Sequence, residues 1–298
     1  MADTLADLAV SFARHVRAEG RAPRTVELYT LSVRLFSEWL EAQGHPSTLT
    51  ELTRPTIVRW LSELADTREP TTVRTRFKAL HRFCVWLVNE GELGANPMAG
   101  LTVPSAPAKP VPVLSDDELA SLLKACAGRD FNARRDEALI RVLLDTGVRV
   151  SEACRLAVTD VDLDREMAMV TGKGEKVRPV YFGARTTRAL DRYLRDRRRH
   201  RWAHLPALFL TQRGALSTDG ARERVRVRAD QAGLRGRMHP HRFRHTFAHD
   251  FLLHGGQERD LKRLAGWTSD VMLERYGAAA ADLRAREAAR RLQRGDRV

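Results

Sequence analysis

Apolar residues recur at the helical period along most of this 298-residue chain, and the interruptions of that period divide it into segments. Leu5, Leu8, Phe12 and Val16 share one helical face over residues 4–19, and Gly20 ends the run. Val26, Tyr29, Val33, Phe36 and Leu40 predict a second helix over residues 25–43. A third starts near Pro55 and buries Ile57, Trp60, Leu61 and Leu64; a fourth starts near Thr71 and buries Val73, Phe77, Leu80, Cys84 and Leu87. Four helices with no strand between them predict a small helical domain over residues 1–94.

The period then stops. Residues 95–112 carry Pro97, Pro104, Pro107, Pro110 and Pro112 among Ala, Ser and Lys. Proline fixes φ and removes an amide donor, so this stretch reads as an extended, stiff linker ahead of a second domain at 113–298. Ser115 and Glu118 form a capping box, which starts a helix to residue 127. A further helix over 132–146 closes on Thr146-Gly147. Arg149 follows that turn, and Ser151-Glu152 opens a short helix. Met167–Val170 and Val177–Phe182 flank Thr171-Gly-Lys-Gly-Glu-Lys, which reads as a β-hairpin with Lys173 at a glycine-rich tip; the spacing is not that of a nucleotide-binding P-loop. Helices are expected at 184–201, whose basic end from Arg195 to Arg201 reads as solvated, and at 217–232.

Pro240 suits the first position of a helix over 240–254, with Phe243, Phe247, Phe251 and Leu252 on one face and Gly255-Gly256 as its stop. His241 and Arg244, three apart, should project together from its first turn, where the helix N-terminus favours an anion. A short helix over Gln257–Leu264 should end at Gly266, leaving Trp267 at an exposed corner, with Ser269 capping a turn that carries Tyr276. The expected fold class is mainly α with a small β-hairpin, the second domain being α+β.

Charge sharpens this division. The net charge is +13, and it is uneven: residues 1–112 carry 13 Lys+Arg against 12 Asp+Glu, leaving 38 against 26 afterwards. The basic excess therefore belongs to the second domain, as a phosphate-gripping surface requires. In the first domain Arg21, Arg24, Arg74, Arg76, Lys78 and Arg82 read either as phosphate contacts or as a solvated face. Cys84, Cys126 and Cys154 have neither metal spacing nor an even disulfide framework, and read as small core residues of a reducing compartment. The N-terminus lacks a signal-peptide pattern, and no apolar run approaches the length needed to span a membrane. His241, His245 and His249 lack the His-Glu-x-x-His pattern of a zinc site.

Arg149, Lys173, His241, Arg244, Trp267 and Tyr276, in that order, give the chain a close resemblance to the tyrosine recombinases, the family of phage integrases and of Xer-type and Cre-like enzymes. The resemblance covers nearly the whole chain. It implies a two-domain DNA clamp whose helical first domain is the core-binding domain. At the site it implies two arginines on the phosphate (Arg149, Arg244), a hairpin lysine (Lys173) as general acid, a helix histidine (His241), a His or Trp position occupied by Trp267, and a tyrosine nucleophile (Tyr276). Glu152 is read either as a helix-start acid or as a residue that orients an active-site neighbour. The implied reaction is site-specific DNA cleavage and rejoining through a 3′-phosphotyrosyl link, for integration, excision or resolution, with no cofactor and no metal.

The implied partners are double-stranded recombination sites, a homotetramer assembled from monomers on two duplexes, and an accessory or partner recombinase, without a membrane. The expected location is the cytoplasm, at the nucleoid. No arm-binding module is expected ahead of Leu5. Ala281, Ala285, Ala288 and Leu292 share a helical face that would dock on a neighbouring protomer. The competing readings are a type IB topoisomerase and a noncatalytic DNA-binding regulator.

Overall fold

The computed structural model describes residues 4–105, 112–172, 174–236, 238–267, 269–270, 273, 285–286, 289–292 and 294–297. The expectations placed on Lys173, Tyr276, Ala281 and Ala288 lie outside the described residues. The chain divides into two compact units, Met1–Ala108 and Lys109–Val298.

The first unit is built from helices α1 (Leu5–Ala18), α2 (Pro23–Ala42), α3 (Arg54–Thr67) and α4 (Pro70–Asn89). Each start has a local cause. Thr4 and Asp7 close a capping box on α1, and a proline occupies the first turn of α2, α3 and α4. The faces marked by the apolar period meet in one core, where Phe12 meets Phe83 edge-on at 5.2 Å and Phe36 meets Trp60 at 5.2 Å. Met98, beyond α4, joins that core. Several basic residues of this unit have partners within it: Arg76 donates to Ser32 Oγ, Arg82 pairs with Glu19, and Arg24 pairs with Glu27.

The second unit contains α5 (Asp116–Ala125), α6 (Phe131–Thr146), α7 (Val150–Arg155), strands β1 (Val161–Asp162), β2 (Met167–Thr171) and β3 (Val177–Tyr181), α8 (Ala184–Arg197), strands β4 (Leu210–Thr211) and β5 (Gly214–Ala215), α9 (Thr218–Gln231), α10 (Pro240–Leu253) and α11 (Glu258–Ala265). The three-stranded sheet is antiparallel in the order β1, β2, β3, with Val170 opposite Arg178 and Thr171 opposite Val177. The core of the unit lies between this sheet, α6, α8, α9 and the start of α10. Asp136 on α6, itself buried, ties that helix to α9 through Arg224 and Arg228. Among the described residues no helix is long and apolar enough to cross a membrane.

The structure revises the predicted end of one helix. α8 stops at Arg197 and not at residue 201, because Arg197 is buried and donates to the carbonyls of Leu205, Ala207 and Leu208. Part of the basic run is thus consumed in holding the following loop, since buried carbonyls need donors.

Candidate functional site

Five of the sequence-selected residues are described, and they lie where α7, β3, α10 and α11 converge. α10 opens with Pro240 at its first position, and His241 in the same turn remains solvent-accessible. Arg244, one turn further, is 1% exposed. Its Nη1 donates to the Gly147 carbonyl at 2.7 Å and its Nη2 to the Ala265 carbonyl at 2.5 Å. The guanidinium carbon lies 5.4 Å from the centre of the Trp267 ring.

Gly147 caps α6 in the left-handed region, at φ 57°, with Phe247 of α10 against its α-carbon. A side chain there would collide with the ring, so this turn admits only glycine and brings the end of α6 directly onto α10. The same turn delivers Arg149 to the N-terminus of α7. Glu152, in the first turn of α7, is 2% exposed: its Oε2 accepts the Arg149 amide at 2.8 Å, and its Oε1 accepts Arg149 Nη1 at 2.9 Å.

Arg178 on β3, which was not singled out from the sequence, completes this cluster. Its Nη2 donates to Glu152 Oε2 at 2.9 Å and its Nε to the Leu264 carbonyl at 2.8 Å. A signal for it existed. Arg178 and the buried Val180 are two apart on a strand and so share its inward face, where a charge requires a partner. Gly172, beside Lys173, lies close enough that a Cβ there would be 3.3 Å from Arg178 Nη1 and 3.6 Å from Glu152 Oε1.

The position of Trp267 corrects an expectation. It is 6% exposed, and it sits in a cluster with Ala248 and Leu252 of α10 and Leu261 and Ala265 of α11 instead of at an exposed corner. The apolar faces of two short helices leave a slot that the indole fills, and its ring lies beside Arg244.

Charge at the junction favours an anion. Two guanidinium groups, Arg149 and Arg178, share the Glu152 carboxylate, while Arg244 is held on the Gly147 and Ala265 carbonyls, and planar forks suit phosphate oxygens. Burial pushes the Glu152 carboxyl up, but the hydrogen bonds from Arg178 and from the Arg149 amide outweigh it, holding Glu152 below the ordinary carboxylate range. His241 is held below the usual imidazole value, by loss of water first and then by His239, Arg244, Arg149 and Arg222. It is therefore a neutral proton acceptor at neutral pH.

Residues 112–282 match the phage integrase family, and residues 9–91 match the phage integrase N-terminal SAM-like domain. The chain belongs to the phage integrase family. It is 32% identical over 290 residues to tyrosine recombinase XerD of Corynebacterium glutamicum, covering 92% of this chain and 94% of that protein. It is 30% identical over 283 residues to XerD of Bifidobacterium longum, covering 90% and 91%. Among solved structures, the Tn1549 transposon integrase in complex with transposon right end DNA superposes with a TM-score of 0.75 at 20% identity, over 97% of this chain and 99% of that one, a likeness of fold. The mainly helical class with small sheets, expected from the sequence, is that of this integrase fold, and the topoisomerase and regulator alternatives are not favoured.

Proposed function

We propose that this integrase-family chain is a site-specific tyrosine recombinase that breaks and rejoins DNA through a 3′-phosphotyrosyl intermediate on Tyr276. The observation that carries the reading is the arrangement of Arg244 and Arg149, held by Gly147, Ala265 and Glu152 beside a neutral His241. Such fixed donors stabilise the charge that develops on nonbridging phosphate oxygens better than water, because they need no reorganisation.

In this reading the Tyr276 hydroxyl oxygen forms a bond to phosphorus while the bond to the 5′ oxygen breaks. The tyrosyl proton passes to His241, and Lys173 gives a proton to the departing oxygen. Rejoining is the same exchange in reverse, and the phosphotyrosine retains the energy of the phosphodiester. Trp267 supports the Arg244 guanidinium from the side. Glu152 orients Arg149.

The partner is double-stranded DNA carrying recombination sites, as the neighbouring Tn1549 integrase is bound to transposon DNA. The finer assignments belong to the same proposal: residues 1–94 and 113–298 close on the duplex as a clamp joined by 95–112, four copies assemble on two duplexes, an accessory or partner recombinase joins them, and the protein works in the cytoplasm at the nucleoid.

Tyr276→Phe tests this, because it deletes only the attacking oxygen. DNA affinity should be retained while the covalent adduct on a nicked suicide substrate disappears. An adduct formed by the variant removes Tyr276 from the mechanism.

A further inference from the structure

The C-terminal end of α11 is a junction. Adjacent carbonyls there accept from two arginines that arrive from different elements: Leu264 from Arg178 of β3, at 2.8 Å, and Ala265 from Arg244 of α10, at 2.5 Å. The last carbonyls of a helix have no intrahelical donor, and the helix dipole makes them attractive to cations. Arg178 then uses its remaining nitrogens on Glu152, the residue that holds Arg149. Its guanidinium also lies under Gly266, where a Cβ would come within 3.0 Å of its central carbon. That glycine, at φ 64°, ends α11 and leads into Trp267.

One largely buried side chain thus joins three elements. It anchors the β2–β3 hairpin, which carries Lys173, to the N-terminus of α7, which carries Arg149, and to the end of α11, which receives Arg244. We propose that Arg178 is a positioning residue for phosphoryl transfer: it sets the direction of the Arg149 fork by sharing the Glu152 carboxylate, and it fixes the hairpin to the arginine pair. The proposal rests on the recombinase reading given above.

The sharing matters because a carboxylate with a single cationic partner draws both edges of that partner's fork toward itself. With Arg178 in place, the Oε2 of Glu152 is engaged by Arg178 and by the Arg149 amide, and among the described residues the Arg149 side chain gives the carboxylate one nitrogen, Nη1 on Oε1. Without Arg178, the Arg149 guanidinium is drawn inward, away from the phosphate. Lysine is a poor replacement, since a point charge cannot reach Glu152 and the Leu264 carbonyl together.

The experiment compares covalent adduct formation by the full chain, at saturating DNA, on two nicked suicide substrates. One carries the natural scissile phosphate and the other a neutral methylphosphonate, which lacks the charge that Arg149 and Arg244 stabilise. Arg178→Met is expected to slow cleavage of the phosphate by about 10²-fold, as misplacement of an oriented group does. DNA affinity should change little. On the methylphosphonate the ratio of wild type to variant should shrink. Arg178→Lys, which retains the aliphatic stem and the charge, should show the same pattern to a smaller degree and covers the case in which Arg178→Met does not fold. Variants that cleave the phosphate as fast as the wild type overturn the proposal. So does an equal defect on both substrates, because that marks a merely structural role. Failure of the wild type itself to form an adduct overturns the recombinase reading instead, and is distinguishable from either result.

Discussion

The second unit contains two buried carboxylates surrounded by arginine, and they are used in opposite ways. Asp136 is 1% exposed and takes five hydrogen bonds among the described residues. Arg135 gives Nε and Nη2, Arg224 gives Nε and Nη2, and Arg228 gives Nε. Two of those forks also hold backbone, with Arg135 Nη1 on the Leu210 carbonyl and Arg228 Nη1 on the Ala125 carbonyl. Glu152 is equally buried, yet among the described residues Arg149 gives its carboxylate a single side-chain nitrogen, and the Arg149 side chain is 36% exposed. Forks spent on Asp136 in this way hold α6 to α9. A fork anchored by one nitrogen is oriented and still able to bind, which is what an enzyme asks of a phosphate ligand.

The largest effect should come from breaking the closed cluster. Asp136→Asn keeps the shape but leaves three arginines without their shared counter-charge, and removing one partner of a buried ion pair costs about 3–5 kcal/mol. The denaturant midpoint of the full chain should fall accordingly. A loss below about 1 kcal/mol, the value of an exposed pair, would mean that water reaches this cluster and that the contrast with Glu152 is false.

Next in size is Arg149→Ala, which empties the open cluster of its outward-facing charge. Loss of one preorganised donor to a developing oxyanion costs about 10²–10³-fold in rate. The rate of covalent adduct formation should drop by that order while thermal stability stays close to that of the wild type. If the melting transition falls as far as in Asp136→Asn, Arg149 is a structural arginine and the two clusters are of one kind.

These clusters also mark how far the sequence could be read. Arg149, His241 and Arg244 were legible because their positions follow from local rules: a glycine turn closing a helix, a proline at a first helical position, and a spacing of three. Arg178 was half legible, through the alternation that places it on the same face as Val180. The Asp136 cluster joins residues 88 and 92 positions apart, and no local period connects α6 to α9 across that distance. The β4–β5 hairpin was missed because strands of two residues are too short to show alternation. Trp267 was misplaced for a related reason. A residue after a C-cap glycine looks exposed from the turn alone, and only the meeting of α10 with α11 supplies the slot that buries it.

The smallest expected effect lies in pH dependence, and it separates the open cluster from its surroundings most finely. Partial loss of water, together with His239, Arg244, Arg149 and Arg222, depresses the His241 pKa, so the unfolded chain takes up a proton near pH 6.5 while the folded imidazole stays neutral to lower pH. Stability therefore falls as pH drops from about 6.5 toward the folded value, because the unfolded state is the one that binds the extra proton. Catalysis follows the folded value. If neutral His241 accepts the tyrosyl proton, adduct formation declines on the acid side of the ordinary histidine range, as the acceptor becomes protonated. His241→Gln should lower the rate and flatten that acid limb. Arg149→Ala should move the limb upward toward the ordinary histidine value, since one of the cations depressing His241 is gone. A limb that survives unchanged in His241→Gln belongs to another group. A limb that persists in the wild type but does not move in Arg149→Ala shows that the open arginine fork does not reach the histidine.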